Sequence, residues 1–253
     1  MADTTYQPAV YRKQGGDEQV VADGGKITVE PGGIVDNQNL ILYDDFIGEA
    51  YDTTFWGTTE TALNAAIALS ADVANGALAM VLDSDDNSEI AALHFGDNEC
   101  LRIDQGLIFE ARLTLSVLPL TGSETVQAVW GVAGAHNATL DTIDCNAWFR
   151  VESAANTALL WETDDNVTND DDNDASTVLV AGTYNVYKID MTNTSSIKFY
   201  VDDVLVGTGS MAGLTASIGD VQPYFNVSKV KSSGNTGTGT MLIDYVKIYQ
   251  ERS

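Results

Sequence analysis

Ile197-Lys198-Phe199-Tyr200-Val201-Asp202-Asp203-Val204-Leu205-Val206-Gly207 decides how this chain is read. In an extended chain Ile197, Phe199 and Val201 point one way and Lys198, Tyr200 and Asp202 the other. That is the period-two alternation of a strand with one buried and one wet face. Asp202-Asp203 supplies turn chemistry, and Val204-Leu205-Val206 returns as a hairpin partner. Tyr187-Lys188-Ile189-Asp190-Met191 upstream and Leu242-Ile243-Asp244-Tyr245-Val246-Lys247-Ile248-Tyr249-Gln250 at the end repeat the pattern. The longest clean alternation sets Leu107, Phe109, Ala111, Leu113, Leu115 and Val117 against Glu110, Arg112, Thr114 and Ser116. Further strands are expected over 125–132, 147–151, 159–162, 184–191 and 223–227. The alanine-rich stretch 62–71 is open between helix and strand or loop, because its polar residues mark no clear face. Proline is scarce, so extended segments can pair without interruption. The expected fold is an all-β antiparallel sandwich, two sheets with their apolar faces packed together.

The hairpin and the closing IDYVKIYQ resemble the late strands of concanavalin A-like jelly rolls, a superfamily that includes laminin G-like modules, legume-type lectins and family 16 glycoside hydrolases. Tyr43-Asp44-Asp45-Phe46 with Asp52-Thr53-Thr54-Phe55-Trp56 resembles their opening strand, and Val73-Ala74-Asn75-Gly76-Ala77-Leu78 their turn into the next one. The resemblance runs over residues 41–253. It implies a jelly roll and is nearly silent on activity, since one architecture hosts many functions.

At 253 residues the chain accommodates one large all-β domain or two small ones. Its net charge of −25 opposes binding to nucleic acid, whose phosphates demand a basic patch, and to anionic membrane surfaces. No run approaches the roughly 20 apolar residues of a membrane span. Met1-Ala2-Asp3-Thr4-Thr5-Tyr6 has no charged and apolar leader, so secretion through a cleaved signal is not expected. Two cysteines, Cys100 and Cys145, are too few for a disulfide scaffold; they are either buried thiols or partners across neighbouring strands.

Residues 1–40 differ from the rest. Gly15-Gly16, Gly24-Gly25 and Gly32-Gly33 punctuate short β-branched runs, too few to build a core alone. The expectation is a glycine-rich β-arm that docks or oligomerises; the alternative is a linker. Thr5-Tyr6-Gln7-Pro8, Val10 to Glu18 and Val20 to Val29 resemble the N-terminal arm of tailed-bacteriophage head decoration or head fibre proteins. That resemblance implies attachment to the major capsid protein on the outer surface of the virion, and the arm's half-formed strands are expected to associate with sister chains or capsid subunits, giving a trimer or other symmetric cluster. The contacts expected to be buried or adhesive are Tyr11, Arg12, Lys13, Val20, Val21, Ile27, Val29, Ile34 and Val35.

The enzymatic alternative is tested against the family 16 signature, Glu-x-Asp-x-x-Glu on one strand. The nearest match is Glu162-Thr163-Asp164-Asp165-Asn166-Val167, in which the last carboxylate is replaced by Val167. A retaining glycosidase needs two carboxyls about 5 Å apart, so the expectation is that the chain is not an enzyme. His94 and His136 sit in no nucleophile motif. No cofactor is expected apart from calcium, for which Asp83, Asp85, Asn87 and Glu89 place oxygens at alternate positions. The calcium-loop glycine and twelfth-position Glu are absent there, and a hydrated surface loop is the alternative. Glycan binding needs an exposed aromatic beside polar side chains, and Trp161, just before the acidic run, is the candidate. A capsid decoration protein with a projecting jelly roll and weak glycan adsorption is therefore the leading expectation. A carbohydrate-binding lectin is the alternative, and a divergent glycosidase the third.

Overall fold

The computed structural model describes residues 10–12, 19–21, 40–61, 65–71, 73–85, 87–119, 126–153, 157–215, 219–230 and 237–251. The chain divides into two compact units, Met1–Asn37 and Gln38–Ser253. In the first, β1 (Val10–Arg12) and β2 (Gln19–Val21) pair antiparallel, with Tyr11 opposite Val20 and Arg12 opposite Gln19. Tyr11, Arg12, Val20 and Val21 thus lie on one hairpin. Lys13, Ile27, Val29, Ile34 and Val35 lie outside the described residues.

The second unit is a sandwich of antiparallel strands: β3 (Leu40–Asp44), β4 (Gly57–Glu60), β5 (Ala66–Leu69), β6 (Leu78–Leu82), β7 (Glu89–His94), β8 (Leu101–Arg102), β9 (Leu107–Val117), β10 (Val126–Ala133), β11 (Asn146–Glu152), β12 (Ala158–Asp164), β13 (Asn169–Val178), β14 (Asn185–Met191), β15 (Ile197–Val201), β16 (Val204–Gly209), β17 (Asp220–Lys229) and β18 (Gly239–Tyr249). One sheet runs β13-β12-β11-β10-β17-β7-β4, with β8 beside β17. The other runs β16-β15-β14-β9-β18-β6-β5, with β3 beside β18. The fold is the expected jelly roll. The stretch left open around residue 66 is a strand, β5, paired with β6.

The hairpin of the opening sequence is β15–β16. Val201 pairs with Val204, and Asp202 and Asp203 take φ of 48° and 63°, the left-handed pair a two-residue hairpin turn requires. Asp202 also accepts the Val186 N–H on Oδ1 and the Asn185 amide on Oδ2, which ties the turn to β14. Ile197, Phe199 and Val201 enter the inter-sheet core with Trp130, Phe149 and Tyr187. Trp161 joins them, stacked on Phe199 with centroids 5.1 Å apart. Gly207 makes room for it: a Cβ there would fall 2.3 Å from Trp161 Nε1. Both cysteines are free thiols, Cys145 buried and Cys100 exposed, so Cys100 does not take the buried place expected of it.

Candidate functional site

Alternation along β7, β10, β11, β12 and β17 puts one set of residues into the core and the other on the sheet's outer face. Antiparallel register then lines that second set up in rows across the strands. One row reads Tyr224, Gly131, Trp148, Glu162; the next reads Asn226, Val129, Arg150, Leu160; a third reads Ser228, Gln127, Glu152. Gly131 is the narrow point of the first row. A Cβ there would sit 2.3 Å from the Ala147 carbonyl oxygen and 2.9 Å from Trp148 Cβ, so glycine lets the Trp148 and Tyr224 rings close to 6.1 Å.

Glu162 is buried at 2% exposure. Trp148 Nε1 donates to its Oε2 at 2.5 Å and Arg150 Nη1 to its Oε1 at 3.1 Å. Burial pushes this carboxyl up to about 7, against the pull of Arg150 and Trp148 and with the push of Asp172 and Asp171. Arg150 spreads over four partners: Glu162, Asp141 (2.8 Å), Gln127 (2.8 Å) and Glu152 (2.5 Å). Four buried polar atoms on this face have no hydrogen-bond partner: Arg150 Nε, Asn146 Oδ1, Asn226 Oδ1 and Ser228 Oγ. Such groups are rare in folded proteins and each costs about 1–3 kcal/mol when left unmade.

Residues 134–145, between β10 and β11, lie over this face. Leu140 (1% exposed) and Ile143 (3%) pack with Val129, Ala133, Trp148 and Tyr224 in an apolar cluster separate from the main core. At one end His136 stacks on His94, centroids 5.3 Å apart and planes 4° from parallel. His136 Nδ1 lies 2.6 Å from Tyr224 Oη, and the His136 N–H donates to Asp97 Oδ1. The Gly96 N–H donates to His94 Nδ1, so the His94 proton sits on Nε2 and goes to Thr59 Oγ1. Burial lowers both imidazoles below their ordinary value, with Asp97 pulling the other way.

The residues expected from sequence fall elsewhere. Trp161 is in the inter-sheet core at 8% exposure and offers no ligand surface; the inward positions of β12 are Leu159, Trp161 and Thr163. Glu162 and Asp164, on the outward set, were within the tested motif. β12 ends at Asp164, and Val167 lies beyond it at 71% exposure, which places no side chain on the face. Asp165 turns inward instead and pins that loop, accepting from the Val167, Thr168 and Gly213 N–H groups. The oxygens of the 83–89 loop converge on an internal cation. Lys229 Nζ lies 2.8 Å and 2.6 Å from the carbonyls of Asp83 and Asp85, 3.2 Å from Glu89 Oε1 and 3.6 Å from Asp83 Oδ1. Of the four residues expected to hold calcium, Asp83, Asp85 and Glu89 thus place oxygens around the Lys229 ammonium.

No family model and no curated protein matches the sequence. Solved structures do match in fold. An endo-acting O-glycanase of the human gut microbiota superposes with a TM-score of 0.58 at 13% identity, covering 84% of this chain and 100% of that one. A family 16 endo-glucanase from Bacteroides ovatus gives 0.58 at 15%, covering 82% and 99%. The Emp47p carbohydrate recognition domain gives 0.54 at 11%, covering 86% and 100%. The likeness is one of fold, an antiparallel jelly-roll sandwich shared with these structures. These likenesses overturn the expectation that the chain is not an enzyme: its scaffold is one on which glycoside hydrolases are built, so a missing motif residue does not exclude the activity.

Proposed function

We propose that this chain is a carbohydrate-active protein that takes a glycan on the outer face of the β13-to-β4 sheet. Trp148 and Tyr224 would stack against sugar rings, Arg150, Asn226 and Ser228 would meet sugar hydroxyls, and Glu162 would exchange a proton with the glycosidic oxygen. The observation that carries this reading is the concentration of unpartnered buried polar atoms beside an aromatic pair and a carboxyl raised towards neutrality. Sugars present that mixture of apolar ring faces and hydroxyl edges, and glycosidases raise the carboxyl that must give up its proton. Asp164, two residues along the same strand face, stands about 6.6 Å away along the backbone by strand rise. It is the nearest outward carboxyl on β12 to act as partner. The reading is tested by glycan-array binding and reducing-end release on β-glucans and galactans between pH 5 and 8. Glu162→Gln is expected to abolish release and keep binding, and Trp148→Ala to abolish both. Absence of binding and of cleavage over the whole pH range refutes it.

A second reading, attachment of the N-terminal unit to a viral shell, is supported by the separate β1–β2 hairpin and by the arm resemblance. It expects a trimer bound to phage heads through contacts such as Tyr11 and Val20, displaying the jelly roll on the outside. Removal of residues 1–40 should then give a monomer that no longer sediments with heads. A full chain that is monomeric and never co-sediments ends this reading.

A further inference from the structure

We propose that residues 134–145 form a hinged cover over the Trp148–Tyr224–Glu162 face, and that the stacked His94–His136 pair is an acid-sensitive clasp holding it shut. What the cover admits rests on the glycan reading; that it opens does not.

The segment is built to move as one piece. Its ends are joined, Gly134 N–H to the Cys145 carbonyl at 2.8 Å, so it can lift without disturbing β10 and β11. Ala135, Asn137, Ala138, Thr139, Asp141 and Asp144 face solvent, and only Leu140 and Ile143 are driven into the face beneath. Polar contacts tie it down besides these anchors: Asp141 to Arg150 at 2.8 Å, His136 to Tyr224 and Asp97, and, close to its two ends, the Gly134 carbonyl accepting from Gln222 Nε2 at 3.0 Å and the Ile143 carbonyl from Asn146 Nδ2 at 3.4 Å. Below it lie the aromatic pair Trp148 and Tyr224, both buried, with Arg150 held to Asp141 beside them.

The clasp needs neutral imidazoles. Asn226 Nδ2 donates to Tyr224 Oη at 3.4 Å, so Tyr224 gives its own proton to His136 Nδ1. A proton on His136 removes that acceptor, and a proton on His94 Nδ1 removes the acceptor of the Gly96 N–H. With both protonated, two like charges would face each other at 5.3 Å. The groups facing the pair are few. Asp97 Oδ1 is 3.9 Å from His94 Nδ1 and already accepts from His136 N–H and Gln222 Nε2. Thr59 and Tyr224 are neutral. Glu99, Asp144 and Asp220 line the roughly 350 Å³ pocket beside His136. Asp97 softens the repulsion, and burial opposes the second charge.

Hydrogen–deuterium exchange of the full chain between pH 7.5 and 5, corrected for intrinsic exchange, tests this. Protection in 134–145 should fall as pH drops below about 6.5, by up to about tenfold per pH unit per imidazole, while β10 and β11 stay protected. Acrylamide quenching of tryptophan should rise in parallel and lose that rise in Trp148→Phe. His136→Phe keeps a ring in the stack but takes no proton, and should cut the acid dependence to the share that His94 carries. Asp141→Asn leaves the pair intact and should raise opening at every pH without moving its midpoint. Protection of 134–145 that follows the flanking strands at all pH values overturns the proposal. So does an acid response unchanged in His136→Phe. If His136→Phe fails to fold, the Asp141→Asn comparison decides alone: a shifted midpoint, or no added opening, overturns it.

Discussion

The two outer faces of this sandwich obey the same alternation and treat their polar residues in opposite ways. On the β16-to-β5 sheet the outward set is wet. Lys247 pairs with Glu110 at 3.1 Å and lies over Tyr245, Arg112 pairs with Asp244, and Lys188 reaches Asp203 at 3.2 Å and lies over Tyr200. Each charge has a partner and water besides. On the β13-to-β4 sheet 134–145 packs over Val129, Trp148 and Tyr224, the outward arginine and glutamate of β11 and β12 are buried, and several polar atoms have no partner. An identical strand pattern thus yields a solubilising surface on one side and a costly interior on the other. The difference lies in the cover, and an unpaid cost on one face marks where a ligand is expected.

Breaking the buried network should show the contrast most strongly. Arg150→Ala strands Glu162, Glu152 and Asp141 without their shared cation, and a loss of about 3–5 kcal/mol in urea unfolding is expected. Next is the roof: Leu140→Ala removes an anchor from the smaller apolar cluster, for about 2–3 kcal/mol, and raises tryptophan quenching in the folded state.

A smaller effect lies in pH. The Glu162 carboxyl is raised from 4.5 to about 7, so its contribution is fully present below about 4.5 and is lost as pH rises through 7. The two imidazoles are lowered from 6.5, so theirs is present above 6.5 and is lost as pH falls. Between pH 4.5 and 6.5 the slopes oppose, so Glu162 offsets part of the stability that the two imidazoles lose towards acid. Glu162→Gln removes that offset and should steepen the fall of stability towards acid; a profile unchanged in that variant would separate Glu162 from the linkage. The smallest effect belongs to the wet face: Lys247→Ala should cost less than about 1 kcal/mol, because an exposed pair gains little over water. A loss comparable with that of Arg150→Ala would erase the distinction between the faces.

Much of the scaffold was legible beforehand. The β15–β16 hairpin and the long β9 announce themselves through local alternation and turn chemistry, which act between near neighbours. The site was legible only in fragments. Glu162 and Asp164 stand at alternate polar positions of β12, and the same alternation already sends Trp161 inward, so its placement at a ligand surface ignored a signal that was present. The oxygen spacing at 83–89 was visible, whereas the cation that fills it comes from Lys229, far along the chain.

Strand identity, hairpin turns and the sandwich followed from the order of residues alone, because a pleated chain exposes its two faces by a rule of two. The row Tyr224, Gly131, Trp148, Glu162, the roof of Leu140 and Ile143, and the stacking of His136 on His94 were decided only by tertiary structure. They depend on which distant strands become neighbours and in what register, and a one-residue slip would have sent every one of those side chains to the opposite face.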